Sequence, residues 1–167
     1  MTKQLTRLFT VLGAATLLFS ACASQKGTTV TAGGLRKAAT GSWSLNSITY
    51  EGLPSDAKIS SVFSNIPPDC LKGSRWVLPS NSKGSYTVNS SAAGCAPGTQ
   101  NIVWSTINQG GSIMLQFKEV MTGEKAKNVL DGYRVELAQA DGSSMVWRAP
   151  VTHDGKTAYI VYSFSRQ

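Results

Sequence analysis

Tyr133-Arg134-Val135-Glu136-Leu137, then Asp141-Gly142, then Met145-Val146-Trp147-Arg148: this stretch decides the fold. Apolar and polar residues alternate with a period of two on both sides of the pair, the pattern of strands with one face in a core and the other in water. Asp-Gly between two such runs is a strong signal for a tight hairpin turn. The same grammar continues to the end, where Asp154-Gly155 turns the chain into a last strand from Lys156 to Ser165.

Working outward, Ser112-Ile113-Met114-Leu115-Gln116-Phe117-Lys118 and Asn101-Ile102-Val103-Trp104-Ser105-Thr106-Ile107 are joined by the turn residues Asn108-Gln109-Gly110-Gly111. Ser85-Tyr86-Thr87-Val88-Asn89, Arg75-Trp76-Val77-Leu78 and a first strand from Gly41 to about Tyr50 complete the set. Eight short strands joined mostly by tight turns predict an all-β fold, an eight-stranded antiparallel up-and-down barrel. Strand counting leaves a two-sheet sandwich open. One short helix is expected between strands one and two, over residues 56–63, with Ser55 as N-cap and Ile59, Val62 and Phe63 on one stripe. Pro67-Pro68 should end it. Residues 120–130 suit either a loop or a single helical turn.

Upstream the text is different. Lys3 and Arg7 precede an apolar run from Leu8 to Phe19 without Asp or Glu, the layout of an export signal and too short to span a bilayer as a helix. Its end, Leu18-Phe19-Ser20-Ala21-Cys22, resembles the lipobox of bacterial lipoproteins. The resemblance implies cleavage before Cys22 and acyl chains of palmitate type on that residue, a firm anchor because each buried methylene adds ~0.8 kcal/mol. Ordinary cleavage after Ala23 is the alternative. Ala23 behind the cysteine implies sorting to the outer membrane, facing the periplasm. Residues 23–40 hold no aromatic and no acidic side chain, so they read as a flexible tether, reaching on the order of 25 Å. Its end, Leu35 to Ala39, could form a short helical turn against the domain. The expected organisation is residues 1–21 signal peptide, 22–40 lipidated cysteine and tether, and 41–167 barrel.

Without Lys3 and Arg7 the chain keeps fourteen basic against nine acidic residues, a net charge of +5. The bases are scattered and not interleaved with aromatics, which argues against nucleic acid. Lys125 and Lys127 could rim a barrel mouth, although such charges usually mark a solvated face. Three cysteines are odd for an exported protein. With lipid on Cys22, Cys70 and Cys95 remain as a pair for a disulfide closing about 25 residues, worth ~3.5 kcal/mol on a loop-entropy model. Two cysteines and one histidine make a poor zinc set, so no metal is expected.

Gly41-Ser42-Trp43 is similar to the Gly-x-Trp signature of lipocalins. Cys70 to Trp76, Gly84-Ser85-Tyr86, Cys95, Trp104 and the closing run Asp154 to Arg166 look like the lipocalin-like domains of bacterial lipoproteins. The resemblance covers about residues 40–167. It implies the barrel, a small hydrophobic ligand, and Arg166 packed over Trp43 as a structural pair.

The inward phase of the strands collects most of the large apolar residues, and a core filled by its own side chains is one reading of that set. In the other, Trp76, Tyr86, Trp104, Tyr133, Trp147 and Tyr162 line a ligand cavity. No catalytic group stands out. His153 sits beside a turn, and Asp56, Asp69, Glu119, Glu124 and Asp131 form no evident pair. The chain is therefore read as a non-enzyme without a cofactor. The expected function is a membrane-anchored carrier of a small hydrophobic ligand. The alternative is a protein-interaction module with a filled barrel, acting in envelope assembly or inhibiting an exported enzyme.

Overall fold

The structure, a computed structural model, describes residues 31–167. The expected signal peptide, Cys22 and the first part of the expected tether lie outside the described residues.

Eight antiparallel strands close into a barrel in sequence order. They are β1 (Gly41–Glu51), β2 (Arg75–Leu78), β3 (Lys83–Val88), β4 (Gly98–Gln109), β5 (Ser112–Val120), β6 (Tyr133–Ala140), β7 (Ser144–His153) and β8 (Lys156–Arg166). Each pairs with the next, and β8 returns to β1 with Trp43 opposite Arg166 and Leu45 opposite Phe164. Closure leaves no long unpaired edge. A bulge between Leu45 and Ser47 and another between Leu137 and Gln139 shift the register locally; bulges of this kind bend strands and increase their twist.

Alternation does what the hydrophobic pattern requires. Trp43, Leu45, Trp76, Trp104, Leu115, Phe117, Val135, Trp147 and Tyr162 are all buried on the inside. Their outward neighbours are polar or half-exposed, apart from Val161, which is buried beside Tyr162. Of the inward set foreseen from strand phase, Tyr133 alone is only half-buried, because it stands at the rim.

The up-and-down order gives the barrel two unlike ends. One carries the tight β2–β3, β4–β5 and β6–β7 turns, and the other carries the long β1–β2, β3–β4 and β5–β6 connections. The tight-turn end is covered by a helix, α1 (Ala32–Ala39). It begins at Thr31, whose hydroxyl accepts the Gly34 N–H at 3.1 Å. It contacts β4 and β6, which are not neighbours, and the Trp43 indole N–H donates to the Ala39 carbonyl at 2.8 Å. Leu35 and Ala39 are buried, one turn apart on the same face. Residues 32–39 are thus part of the domain and not of a flexible tether. Composition alone argues for disorder there, but two apolar side chains facing a barrel end outweigh a weak local propensity.

The short helix expected between β1 and β2 is present, but it is α2 (Pro68–Leu71), preceded by a 3-10 turn at Phe63–Asn65, and not residues 56–63. Pro68 starts a helix where Pro67-Pro68 was expected to end one, since a proline at the first helical position gives up an N–H that has no partner anyway. Ile59, Val62 and Phe63 turn toward the barrel core instead of forming a helical stripe. Residues 121–132 are a loop with one 3-10 turn, Ala126–Asn128. Cys70 and Cys95 form a disulfide with Cα atoms 5.4 Å apart, within the usual range, tying α2 to the β3–β4 loop.

Candidate functional site

At the long-loop end the β1–β2 connection packs against the barrel through Ile59, Val62 and Ile66 and sends one ring inside. Phe63 enters the barrel and stacks on Tyr162, with ring centroids 5.1 Å apart. It makes edge contacts with Phe117 at 5.1 Å, Tyr133 at 5.1 Å and Trp76 at 6.0 Å. Trp76 in turn stacks on Tyr86 at 4.7 Å and meets Trp147 edge-on at 5.0 Å. Five of the six aromatic residues singled out from sequence (Trp76, Tyr86, Tyr133, Trp147 and Tyr162) therefore belong to one continuous cluster around Phe63. Trp104 does not. Its indole lies at the opposite end, donating to the Pro79 carbonyl at 3.1 Å under the Arg36 guanidinium, 4.3 Å from the ring centroid.

Edge and offset arrangements suit the ring quadrupoles and add about 0.5–1.5 kcal/mol per pair beyond area burial. The cluster fills the interior around Phe63. It also holds one unmet polar atom: Trp147 Nε1 is buried with no hydrogen-bond partner among the described residues. A buried donor left so costs about 1–3 kcal/mol, which an acceptor placed beside it would recover.

Next to Phe63, Ser64 latches the loop to the strands. Its backbone N–H donates to the Tyr133 hydroxyl at 2.7 Å, and its own hydroxyl donates to Glu119 Oε2. The other Glu119 oxygen accepts the Tyr86 hydroxyl at 2.7 Å. Burial first, and then that bond to Glu119, push the Tyr86 hydroxyl far above its ordinary value, so it stays protonated as a donor. Burial does the same to Tyr162. Ser64 and Asn65 both take left-handed backbone, with φ of 48° and 60°. Such conformations cost non-glycine residues about 1–2 kcal/mol each, so the latch holds a strained segment in place.

Sequence reading missed Phe63, Ser64 and Glu119 as parts of a site. The signal for Glu119 was present. Ile113, Leu115, Phe117 and Glu119 share one phase of β5, and Glu119 pairs with the buried Ile102. It is a carboxylate on the inward face at the mouth. Nor are the acidic residues unrelated. Glu119, Glu124 and Asp131 border a single hollow of about 340 Å³, which Gln100, Met121 and Tyr133 also line. They do not converge into a metal-ligating group.

Lys127 does not rim the mouth. With Lys118, Arg134 and Leu130 it borders a groove of about 650 Å³ on the outer wall of β4, β5 and β6, beneath the β5–β6 loop. At the other end, Arg166 lies over Trp43, 5.2 Å from the ring centroid, and donates to the Thr40 carbonyl at 3.0 Å. Gly41 makes this possible: a Cβ there would lie 2.6 Å from the guanidinium carbon. The Gly41–Trp43–Arg166 group closes the barrel seam, remote from the mouth.

The mouth can bind, orient and exclude water. Comparison of the chain with family models, with curated proteins and with solved structures gives no match in any of the three.

Proposed function

We propose that the chain is a membrane-anchored, lipocalin-like carrier of a small hydrophobic ligand in the cell envelope, and that Phe63 holds the ligand's place while the barrel is unloaded. One observation carries this reading. The side chain at the centre of the aromatic cluster comes from a latched loop and not from a strand, so it can leave without unpairing the barrel. With Phe63 withdrawn, the space it vacates adjoins the hollow beside Glu119 and Tyr133.

The lid weakens binding by a definable amount. Burying a phenylalanine contributes ~2 kcal/mol, so a ligand that must displace it loses about thirtyfold in apparent affinity. The test is native mass spectrometry of the full chain extracted from membranes, alongside Phe63→Ala. A non-covalent adduct of a few hundred daltons, more abundant in the variant, supports a carrier. Bare protein in both, even with added apolar probes, contradicts it. The anchor rests on Leu18 to Cys22, and labelled palmitate should enter the wild-type chain but not Cys22→Ser.

A second reading has its own observation. The barrel is filled and covered at both ends, as in a module that works through its loops. An envelope protein captured by the wild-type chain, and lost when residues 121–132 are replaced by a short turn, would favour it.

A further inference from the structure

We infer that the ligand is a cationic amphiphile: a flat apolar or aromatic body ending in a protonated amine that Glu119 receives. This rests on the carrier reading and goes beyond it by naming the head group.

The lid itself supplies the template. Phe63 and Ser64 together present a ring and, one residue away, an N–H and an O–H donor. The ring sits among Trp76, Phe117, Tyr133 and Tyr162, while the donors meet Tyr133 Oη and Glu119 Oε2. A molecule replacing this pair must offer the same order, an apolar plate followed by hydrogen-bond donors. When the Ser64 hydroxyl leaves, a carboxylate oxygen on the inward face loses its donor, and the Tyr86 hydroxyl still occupies the other oxygen. A charged donor restores that bond more strongly than a neutral one.

The hollow beside the latch has matching charge. Glu119, Glu124 and Asp131 border it, and no Lys, Arg or His does. Of the basic residues near this loop, Lys118 Nζ donates to the Val129 carbonyl at 2.6 Å, Lys118 and Lys127 face the outer-wall groove, and Lys125 is exposed and does not line the hollow. In a chain with more basic than acidic residues, an acidic hollow opening on an aromatic cluster runs against the overall balance. The three carboxylates are spread around it and not gathered on a point, which suits an organic cation. An anionic head group would meet repulsion from all three.

The experiment uses the full chain in phosphatidylcholine nanodiscs, with protein-free discs subtracted, at pH 7. Three probes share one two-ring body: naphthylmethylamine, naphthalenemethanol and naphthaleneacetate. The amine should bind about tenfold or more tightly than the alcohol, and the acetate most weakly. In Glu119→Gln the amine-to-alcohol ratio should fall to about threefold or less. Because that change also touches the latch, a second variant, Glu124→Gln with Asp131→Asn, leaves the latch intact, keeps an acceptor for the Met121 N–H, and should lower the ratio about two- to fivefold. Phosphatidylethanolamine in the discs separates two sources of amine, since competition by it marks a lipid head group and its absence a free amine. Equal binding of amine and alcohol overturns the inference while leaving the carrier standing. If no probe binds the wild type or Phe63→Ala, both readings fall.

Discussion

Phe63 stacks on Tyr162 with ring centroids 5.1 Å apart and planes inclined by 23°, although one comes from an irregular loop and the other from the last strand. The pair joins the most local part of the structure to its most distant in sequence. β8 closes the barrel against β1, and the loop that leaves β1 returns to cap the closed barrel. The cap depends on the seam, since Tyr162 takes its place by pairing with Ile48 and Trp147.

Truncation of Phe63 to alanine should lower stability by about 3–5 kcal/mol, since it removes four ring contacts and leaves a cavity. A domain with ordinary stability survives that loss. The cavity should then take a neutral apolar probe, and a concentration of 100 times its Kd should restore ~2.7 kcal/mol of the loss. Thermal melts with and without probe read both effects. A variant that is destabilised and indifferent to probe would show that the ring is ordinary core.

The disulfide lies beside the lid, joining α2 to the β3–β4 loop. Replacing Cys70 and Cys95 together with serine should cost up to ~3.5 kcal/mol in urea unfolding. The far-ultraviolet strand signal should remain, because no strand pairing depends on the bridge. Loss of the barrel itself would show that the bridge shapes the fold beyond stapling it.

The strands were legible because their core is made by alternation, which acts over a few residues. β2 has the bounds read from Arg75-Trp76-Val77-Leu78, and β7 grew from Met145–Arg148 to Ser144–His153 because pairing with β8 extends it past the apolar pattern. The lid was illegible for the opposite reason. Ile59, Val62 and Phe63 fit a helical stripe, and only the barrel interior, made by residues far along the chain, gives Phe63 a better place to be buried. Glu119 reads as one of several acidic residues without an evident pair, whereas the phase of β5 puts it inside and Lys118 outside. Glu124 and Asp131 join it through a loop that carries no periodic signal.

Asp141 should govern part of the acid limb of stability. Its carboxylate accepts the backbone N–H groups of Ser144 at 2.7 Å and Ser143 at 2.8 Å, then both serine hydroxyls at 2.8 Å. These bonds hold it well below the usual 3.8. A carboxyl depressed in the folded state stabilises fully above its unfolded value and stops doing so as pH falls through its folded value. The wild-type advantage over Asp141→Asn in urea midpoint should therefore be present at pH 7 and shrink steadily below pH 4. An advantage independent of pH would assign the effect to turn shape and not to charge.

Gly41 has φ of 145°, and a Cβ there would press on the Arg166 guanidinium. Gly41→Ala should cost about 1–3 kcal/mol, part of it backbone strain and part lost contact between Arg166 and Trp43. In an Arg166→Ala background the same change should cost less. Equal costs in a double-mutant cycle would show that only the backbone matters.

The most direct test of the central claim is to watch Phe63 while ligand binds. Fluorine NMR of the full chain labelled with fluorophenylalanine, with the Phe63 signal assigned through Phe63→Leu, reports whether the ring is among aromatics or in solvent. On saturation with naphthalenemethanol, the Phe63 resonance should move from a ring-current-shifted position to that of an exposed ring, while those of Phe117 and Phe164 remain in the core. A probe that binds with the Phe63 signal unmoved would contradict the account.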